Sequence, residues 1–209
     1  MELAEFFSGR TTAAIARSLL GKKLIYHTAQ ANLSGWIVET EAYLGQQDST
    51  AHAYQGHRSP ANEALYGPPG MIYIFSLRGR MMLNFITQAA EVPQGILLRG
   101  LEPATGQKLM AKNRQQTGVL LTNGPGKLTQ ALGITDRQLN LTMLNAGALE
   151  LELIGGRQPQ QVSSGPRIGV SRRGSWTDKP LRYYVTGNPY VSQLPKRDWN
   201  LITHGWLRE

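Results

Sequence analysis

Short apolar segments that follow one another through tight polar turns, with no helix between them, are the feature that most limits how this chain can fold. KKLIYHT leads through the turn AQANLS into GWIVETEAYLG, and MIYIFS (71–76) passes through LRGR into MMLNFIT (81–87). Two-residue or similarly tight links join antiparallel strands, whereas parallel strands need a long crossover. GILLRGLEP (95–103) adds a strand, and LELELI, RIGVS and LRYYV are predicted to supply later ones. Helices are predicted at residues 11–20, opened by a threonine cap and closed by Gly21, at ATGQKLMAKNR, and after the glycine-rich turn of GPGKLTQALG. No repeat and no linker divides the chain. The expected fold is α+β: a single domain over residues 1–209, with a curved, largely antiparallel β-sheet flanked by helices.

The stretch from Leu44 to Gly70, GQQDSTAHAYQGHRSPANEALYGPPG at its centre, is polar, rich in glycine and proline, and without a clear period. A connection that long inside a compact domain is either functional or disordered. The chain has no cysteine, which excludes disulfides, zinc–thiolate sites and a cysteine nucleophile. No apolar run reaches the length of a bilayer span. The opening MELAEFFSGRTTAAIARSLLG starts acidic and lacks a basic start with an apolar core, so no signal peptide is expected. A cytoplasmic protein follows, nucleoid-associated if the source is prokaryotic.

The formal charge is +8, and it is unevenly spread. Met1 to Gly156 holds 13 Lys+Arg against 11 Asp+Glu, and Arg157 to Glu209 holds 9 against 3, so the last quarter carries a net +6 of the total. Such an asymmetry suits a polyanionic partner, and equally a basic protein kept soluble by its charge.

Within GWIVETEAYLG, alternation puts Ile37, Glu39, Glu41 and Tyr43 on one face of a strand and Trp36, Val38, Thr40 and Ala42 on the other. A carboxylate in a largely apolar strand either faces water or is compensated. Glu41 and Tyr43 stand roughly 7 Å apart along the strand, so an acid beside an aromatic plate could act on a bond attached to a flat ring. Arg99, between Leu97 and Leu101 on its side of the strand, needs a carboxylate. Glu41 or Glu39 on a neighbouring strand could provide it, as could Glu102 locally. Asp48, His52 and His57 lie close in sequence, but without the helical spacing or fourth ligand of a zinc or iron site. No metal is expected there. NGPGKL is not a Walker motif, since Leu121 and Leu128 stand where glycine and Ser/Thr belong. Exposed backbone N–H groups at that helix start, around Gly126 and Lys127, still suit a phosphate. RRGSWTDKPLRYY gathers Arg172, Arg173, Lys179 and Arg182 around aromatic residues.

Taken in order, GWIVETEAYLG, the D-x-x-x-H of DSTAH, GMIYIF, LLRGLEP, NGPGKLTQALGI and RIGVSRRGSWTDKPLRYYVTGNPYVS resemble the alkyladenine (N-methylpurine, 3-methyladenine) DNA glycosylase family. The resemblance covers the chain from the first helix to Ser192, and residues 193–209 have no placed counterpart. It implies an enzyme that extrudes a damaged purine from double-stranded DNA and cuts its bond to deoxyribose, with no cofactor and no metal. Carried over by position, Glu41 resembles the general base that activates a water, and Arg99 its partner in holding that water, assisted by the main-chain carbonyl at Val185. Tyr43 and His52 match stacking residues on one face of the extruded base, and Phe75 falls where a tyrosine usually covers the other. Asn84 matches the residue that excludes guanine. The family's hairpin tip carries an intercalating tyrosine; here the tip is SLRGRMML, with Arg78 in its place and Leu77 as the alternative wedge, and the run to Asn84 is one residue shorter. Gly126, Lys127, Arg172, Arg173 and Lys179 are expected on the DNA backbone.

That reading agrees with elementary chemistry. A base inside a duplex cannot present its glycosidic bond, so it must be pocketed outside the stack. An electron-poor purine then needs mainly a positioned water and a carboxylate. No lysine stands at the matched catalytic positions, so a monofunctional enzyme is expected, acting as a monomer and away from membranes. Two other classes compete with it. One is a damaged-DNA-binding protein without catalysis; the other is a metal-dependent hydrolase using Asp48, His52 and His57.

Overall fold

In the computed structural model, residues 2–171 and 174–208 are described. A short helix α1 (Leu3–Phe7) precedes α2 (Thr12–Ser18), which the Thr11 side chain caps by accepting from the Ala14 N–H at 3.2 Å. α2 turns Ile15 and Ala16 inward, fully buried. Then come β1 (Lys23–His27) and β2 (Asn32–Tyr43), the hairpin predicted from the polar turn between them. After the irregular stretch follow β3 (Ile72–Leu77), β4 (Arg80–Thr87) and β5 (Gln94–Thr105). Next are α3 (Gln107–Arg114), α4 (Pro125–Leu132), β6 (Leu149–Glu152), β7 (Val162–Gly165) and β8 (Arg182–Val185).

The strands form one curved antiparallel sheet in the order β3-β4-β5-β2-β1-β6, with β8 added to β2 and β7 to β8. The α+β expectation holds. β2 is the organising strand. Its first half pairs with β1 and its second half, from Glu39 to Glu41, pairs with β8, while β5 runs along its other edge.

The β2–β5 register slips twice in the middle of that edge. Ile37 pairs with Leu101 and Glu39 with Gly100, so Val38 is an extra residue on β2; Thr40 then pairs with Leu98, so Arg99 is extra on β5. A bulge bends a strand and re-aims the side chain it carries. From Glu39 to Tyr43 the predicted alternation holds. Thr40 donates to the Ala16 carbonyl of α2 at 2.9 Å, while the two carboxylates turn to the other face and meet Arg99.

The apolar core lies where α2 and α4 cover the sheet, with Phe6, Phe7, Phe85, Ile15, Leu19 and Ile74 among its fully or almost fully buried members. The tail, left without a role by the sequence, closes on the same core: Trp206 is buried and its indole N–H donates to Glu102 Oε2 at 2.8 Å.

One predicted strand is absent. RIGVS is irregular, and the neighbouring strand is the polar VSSG of β7. The reason is chemical: the Ile168 N–H donates to a carboxylate, Glu41, and not to an adjacent strand. The Leu44–Gly70 stretch is anchored at several points. Asn62 donates to the carbonyls of His52 and His57 at 3.1 and 2.9 Å, and Arg58 bridges Glu63 and Glu91 at 2.6 Å each.

Candidate active site

A cavity of about 380 Å³ opens where the second half of β2, the middle of β5, the β3–β4 hairpin and the loop after β7 converge. That volume lies in the range of small-molecule sites. Its walls are mostly aromatic and apolar: Tyr43, His52, Tyr73, Phe75, Leu77 and Met82 contribute, and Asn84, Arg99 and Ile168 add polar groups.

Glu41 lies directly behind this wall, fully buried. Three groups hold its carboxylate: the Ile168 N–H donates to Oε1 at 2.7 Å, the Tyr43 hydroxyl to Oε2 at 2.8 Å, and Arg99 Nη1 stands 3.3 Å from Oε1. All three belong to residues that line the cavity. A carboxylate offers about four acceptor positions; Oε2 takes only the Tyr43 hydroxyl, so an acceptor position remains on it. Burial drives the Glu41 pKa up, as does the charge of Glu39, and Arg99, the Ile168 N–H and the Tyr43 hydroxyl offset this only in part, so the net shift is upward. A base tuned upward towards neutrality is better matched to proton abstraction than an ordinary carboxylate.

Glu39 is held by internal partners. It is fully buried and takes Arg99 Nε at 3.2 Å, Arg182 at 2.9 Å, and the Ser192 N–H and hydroxyl at 2.7 and 2.8 Å. Arg99 thus sits between two acids, which settles the sequence-level choice among its partners. Glu102 is engaged elsewhere, by Arg157 and Trp206.

The ring surfaces fall into two groups. The Arg167 guanidinium backs the Tyr43 ring at 4.6 Å from its centroid, leaving the other face to the cavity. Across it, His52 contacts Phe75 edge-on, with centroids 4.5 Å apart, and Phe75 stacks on Tyr73 at 5.4 Å. The grouping inferred from the resemblance, Tyr43 with His52 against Phe75, is therefore corrected: His52 belongs with Phe75. It is held there by a 2.9 Å hydrogen bond between its Nδ1 and the Tyr73 hydroxyl, whose pKa burial pushes up to about 12. Burial and nearby His57 lower the His52 pKa, so its ring is neutral at pH 7.

Asn84 reaches the cavity from β4 despite the shortened hairpin. Its amide nitrogen donates to the carbonyls of Tyr73 and Met82 at 3.1 and 3.2 Å, which fixes the amide and leaves the oxygen as its free acceptor.

Val185 is misplaced by the resemblance. It is buried in the core, and its carbonyl accepts from the Asn188 N–H at 3.2 Å. β8 faces β2 through Arg182 opposite Glu41, so Val185 lies past the site, and the main chain at the cavity is that of Ile168.

At the hairpin tip, Arg78 and Gly79 form a two-residue turn with φ of 50° and 74°, between the paired residues Leu77 and Arg80. Arg78 is exposed, and Leu77 is half-exposed on the cavity rim. Gly126 is required by close approach: a Cβ there would lie 2.9 Å from the Arg80 Cβ. Lys127 sits in the first turn of α4 and donates to Asn123 at 2.8 Å. Lys179 lies 3.2 Å above the Trp176 ring. Arg172 and Arg173 lie outside the described residues. Arg182, grouped with them in the sequence, is instead an internal partner of Glu39.

Asp48 is committed to structure. Its oxygens take both Arg167 terminal nitrogens, at 2.5 and 2.9 Å, together with the Leu44 and Thr50 N–H groups. Among the described residues no three His, Asp or Glu side chains gather as metal ligands would.

The Methylpurine-DNA glycosylase (MPG) family model matches residues 5–189. The chain belongs to the methylpurine-DNA glycosylase family. Among bacterial relatives, "Putative 3-methyladenine DNA glycosylase" of Latilactobacillus sakei is 49% identical over 203 residues, 97% of this chain and 95% of that protein. Proteins of the same name from Lactiplantibacillus plantarum and Staphylococcus saprophyticus are 48% and 43% identical, over 98% and 96% of this chain and 98% of each relative.

Two contributors to this family member's site escaped the sequence reading. Ile168 stands in a run read as a strand, and Arg167 lies 119 positions from the Asp48 it grips. Arg167, which is buried, gave one signal in principle, since an arginine in an apolar run needs a carboxylate. Among the described residues no helix is long and apolar enough to cross a membrane.

Proposed function

We propose that this chain flips a damaged, alkylated or deaminated purine out of duplex DNA and hydrolyses its N-glycosidic bond with a water activated by Glu41. The observation that carries this reading is a buried carboxylate of raised pKa, with one acceptor position open, set behind an aromatic cavity. The purine lies between Tyr43 and the His52–Phe75 wall. A water on Glu41 Oε2 attacks the sugar C1′, its proton passes to Glu41, and the C1′–N bond breaks with its electrons leaving on the purine. Arg99 fixes the carboxylate and keeps the pair of acids from repelling each other. The main-chain role first given to Val185 falls to Ile168, whose backbone lies against both Glu41 and the cavity.

Asn84, on the cavity wall, excludes guanine by a clash with its 2-amino group. Arg78 enters the duplex as the base leaves, and Leu77 closes the rim. Gly126, Lys127 and Lys179, with Arg172 and Arg173, hold the DNA backbone. Among the described residues no lysine lines the cavity to form a Schiff base with the sugar, which favours a monofunctional enzyme. The protein works as a monomer, in the cytoplasm, with no step assigned to a metal or cofactor.

The test is a panel of duplexes, each holding one hypoxanthine, ethenoadenine or 3-methyladenine, scored for free base and an abasic site. Release from at least one, unaffected by excess chelator, is expected. A duplex bound tightly with no release under prolonged single-turnover incubation would overturn hydrolysis in favour of lesion binding alone.

A further inference from the structure

Beside the cavity, three cations converge with no acid among them. Arg80, just past the hairpin tip, and Arg114, at the end of α3, both donate through Nη1 to the same atom, Gln130 Oε1 of α4, Arg114 at 2.7 Å. Lys127 stands one turn earlier on that helix. Among the described residues no carboxylate lies within ion-pair distance of any of the three, and the buried Arg114 Nε has no partner. The Lys127 and Arg114 pKa values are pushed down, by burial first and then by the neighbouring cations.

Holding like charges together around a neutral amide is unfavourable unless an anion is meant to join them. A glutamate in place of Gln130 would pair with both arginines and serve the free protein better. The arrangement is also built rigidly. The Arg80 stem packs on Gly126, where a side chain would displace it, and the Thr129 hydroxyl donates to the Met81 carbonyl at 2.8 Å, fastening α4 to β4. The cationic cluster is therefore fixed to the strand that leaves the hairpin tip.

We infer that Arg80, Arg114 and Gln130 form a fork that grips a backbone phosphate of the duplex next to the extruded nucleotide, with Gln130 kept uncharged so that the two guanidiniums stay available. Pro125 and Met82 line the cavity, and Met82 and Arg80 both pack at Gly126, so the cluster lies beside the cavity wall. The inference rests on the proposed DNA-directed function and adds the contact that would register the strand.

The decisive variant is Gln130→Glu, because a phosphate fork predicts weaker DNA binding for it and a purely structural fork predicts unchanged binding. The expected result is a thermal midpoint raised by a few degrees, since both arginines gain a carboxylate, with affinity for an undamaged duplex reduced about tenfold. The slope of log affinity against log salt should fall by about one, the loss of one phosphate contact. Arg114→Gln should lower the slope by a similar amount without the stabilisation, and it serves as the second reading if Gln130→Glu misfolds. Unchanged affinity and slope in both variants would overturn the fork. Because undamaged duplex is the probe, the result is independent of base release: failure of the hydrolysis reading shows as no free base from the unmodified protein, failure of the fork as an unaltered salt slope.

Discussion

The Tyr43 hydroxyl donates to Glu41 Oε2 at 2.8 Å, so the plate that walls the cavity is fastened to the acid behind it. One residue therefore offers a flat surface to the cavity and stabilises the charged form of the carboxylate behind it. Tyr43→Phe separates the two effects. Losing the hydroxyl removes one of the interactions that hold the Glu41 pKa down, so a pKa already above the ordinary value rises further. A base works only when deprotonated; the rate therefore climbs as pH rises through that pKa. In the wild type this acid limb should lie above the ordinary glutamate value of about 4.3, and in Tyr43→Phe it should move to higher pH with lesion affinity nearly kept. Single-turnover rates across pH give the answer, and an unmoved limb would break the link.

Replacing Glu41 by Gln should abolish base release and spare the fold. General base catalysis is worth about 10² to 10⁴ in rate, so the single-turnover constant should fall at least that far. Arg99 keeps Glu39 at 3.2 Å and is not left unpaired, which removes the usual penalty for breaking a buried pair. Denaturant midpoints and lesion-duplex affinity should stay near those of the parent. Wild-type rates in Glu41→Gln would rule out water activation by this residue.

What could be read from the sequence was whatever local pattern or local cost controls. The hairpins β1–β2 and β3–β4 were legible because apolar runs flank turn residues, and the Glu–Arg cluster because a charge in an apolar strand must find a partner. Long-range contact decided the rest. RIGVS reads as a strand by its side chains, yet its Ile168 N–H serves Glu41 and its arginine serves Asp48. The main-chain role went to Val185 by motif position, and only the β2–β8 register shows that strand running past the site. His52 was paired with Tyr43 because nothing local reveals that the Leu44–Gly70 stretch folds back to set it on Phe75 and Tyr73.

The hairpin tip joins strain to function. Arg78 has φ of 50°, in the left-handed region, followed by Gly79 at 74°. Two-residue turns of this kind favour Asn-Gly, and an ordinary side chain there costs about 1 kcal/mol. Arg78→Asn should therefore raise the thermal midpoint by roughly 2–4 °C, while slowing base release from paired duplex more than from single-stranded DNA. Equal slowing on both substrates would mean that Arg78 does not assist extrusion.

Asp48 and Arg167 tie together three parts of the site that are remote in sequence: the loop leading to His52, the backing of the Tyr43 ring, and the segment that delivers the Ile168 N–H. Both are buried, and among the described residues Asp48 is the only acid paired with Arg167. Asp48→Asn leaves a buried guanidinium without a counter-charge, which costs about 3–5 kcal/mol. The pH dependence has a definite sign. Burial alone would raise the Asp48 pKa, but Arg167 and the N–H donors outweigh it and the net shift is downward. A depressed acid adds stability that is full above its unfolded pKa of about 3.9 and is lost as pH falls through the lower folded value. The wild type should therefore lose stability on acidification below about pH 4 more steeply than Asp48→Asn, with the variant weaker at neutral pH and the two curves converging in acid. Urea unfolding at a series of pH values measures this directly. Because the same pair braces Tyr43, base release by the variant should fall even at temperatures where it stays folded, and a folded variant with full activity would reduce the pair to a purely structural role.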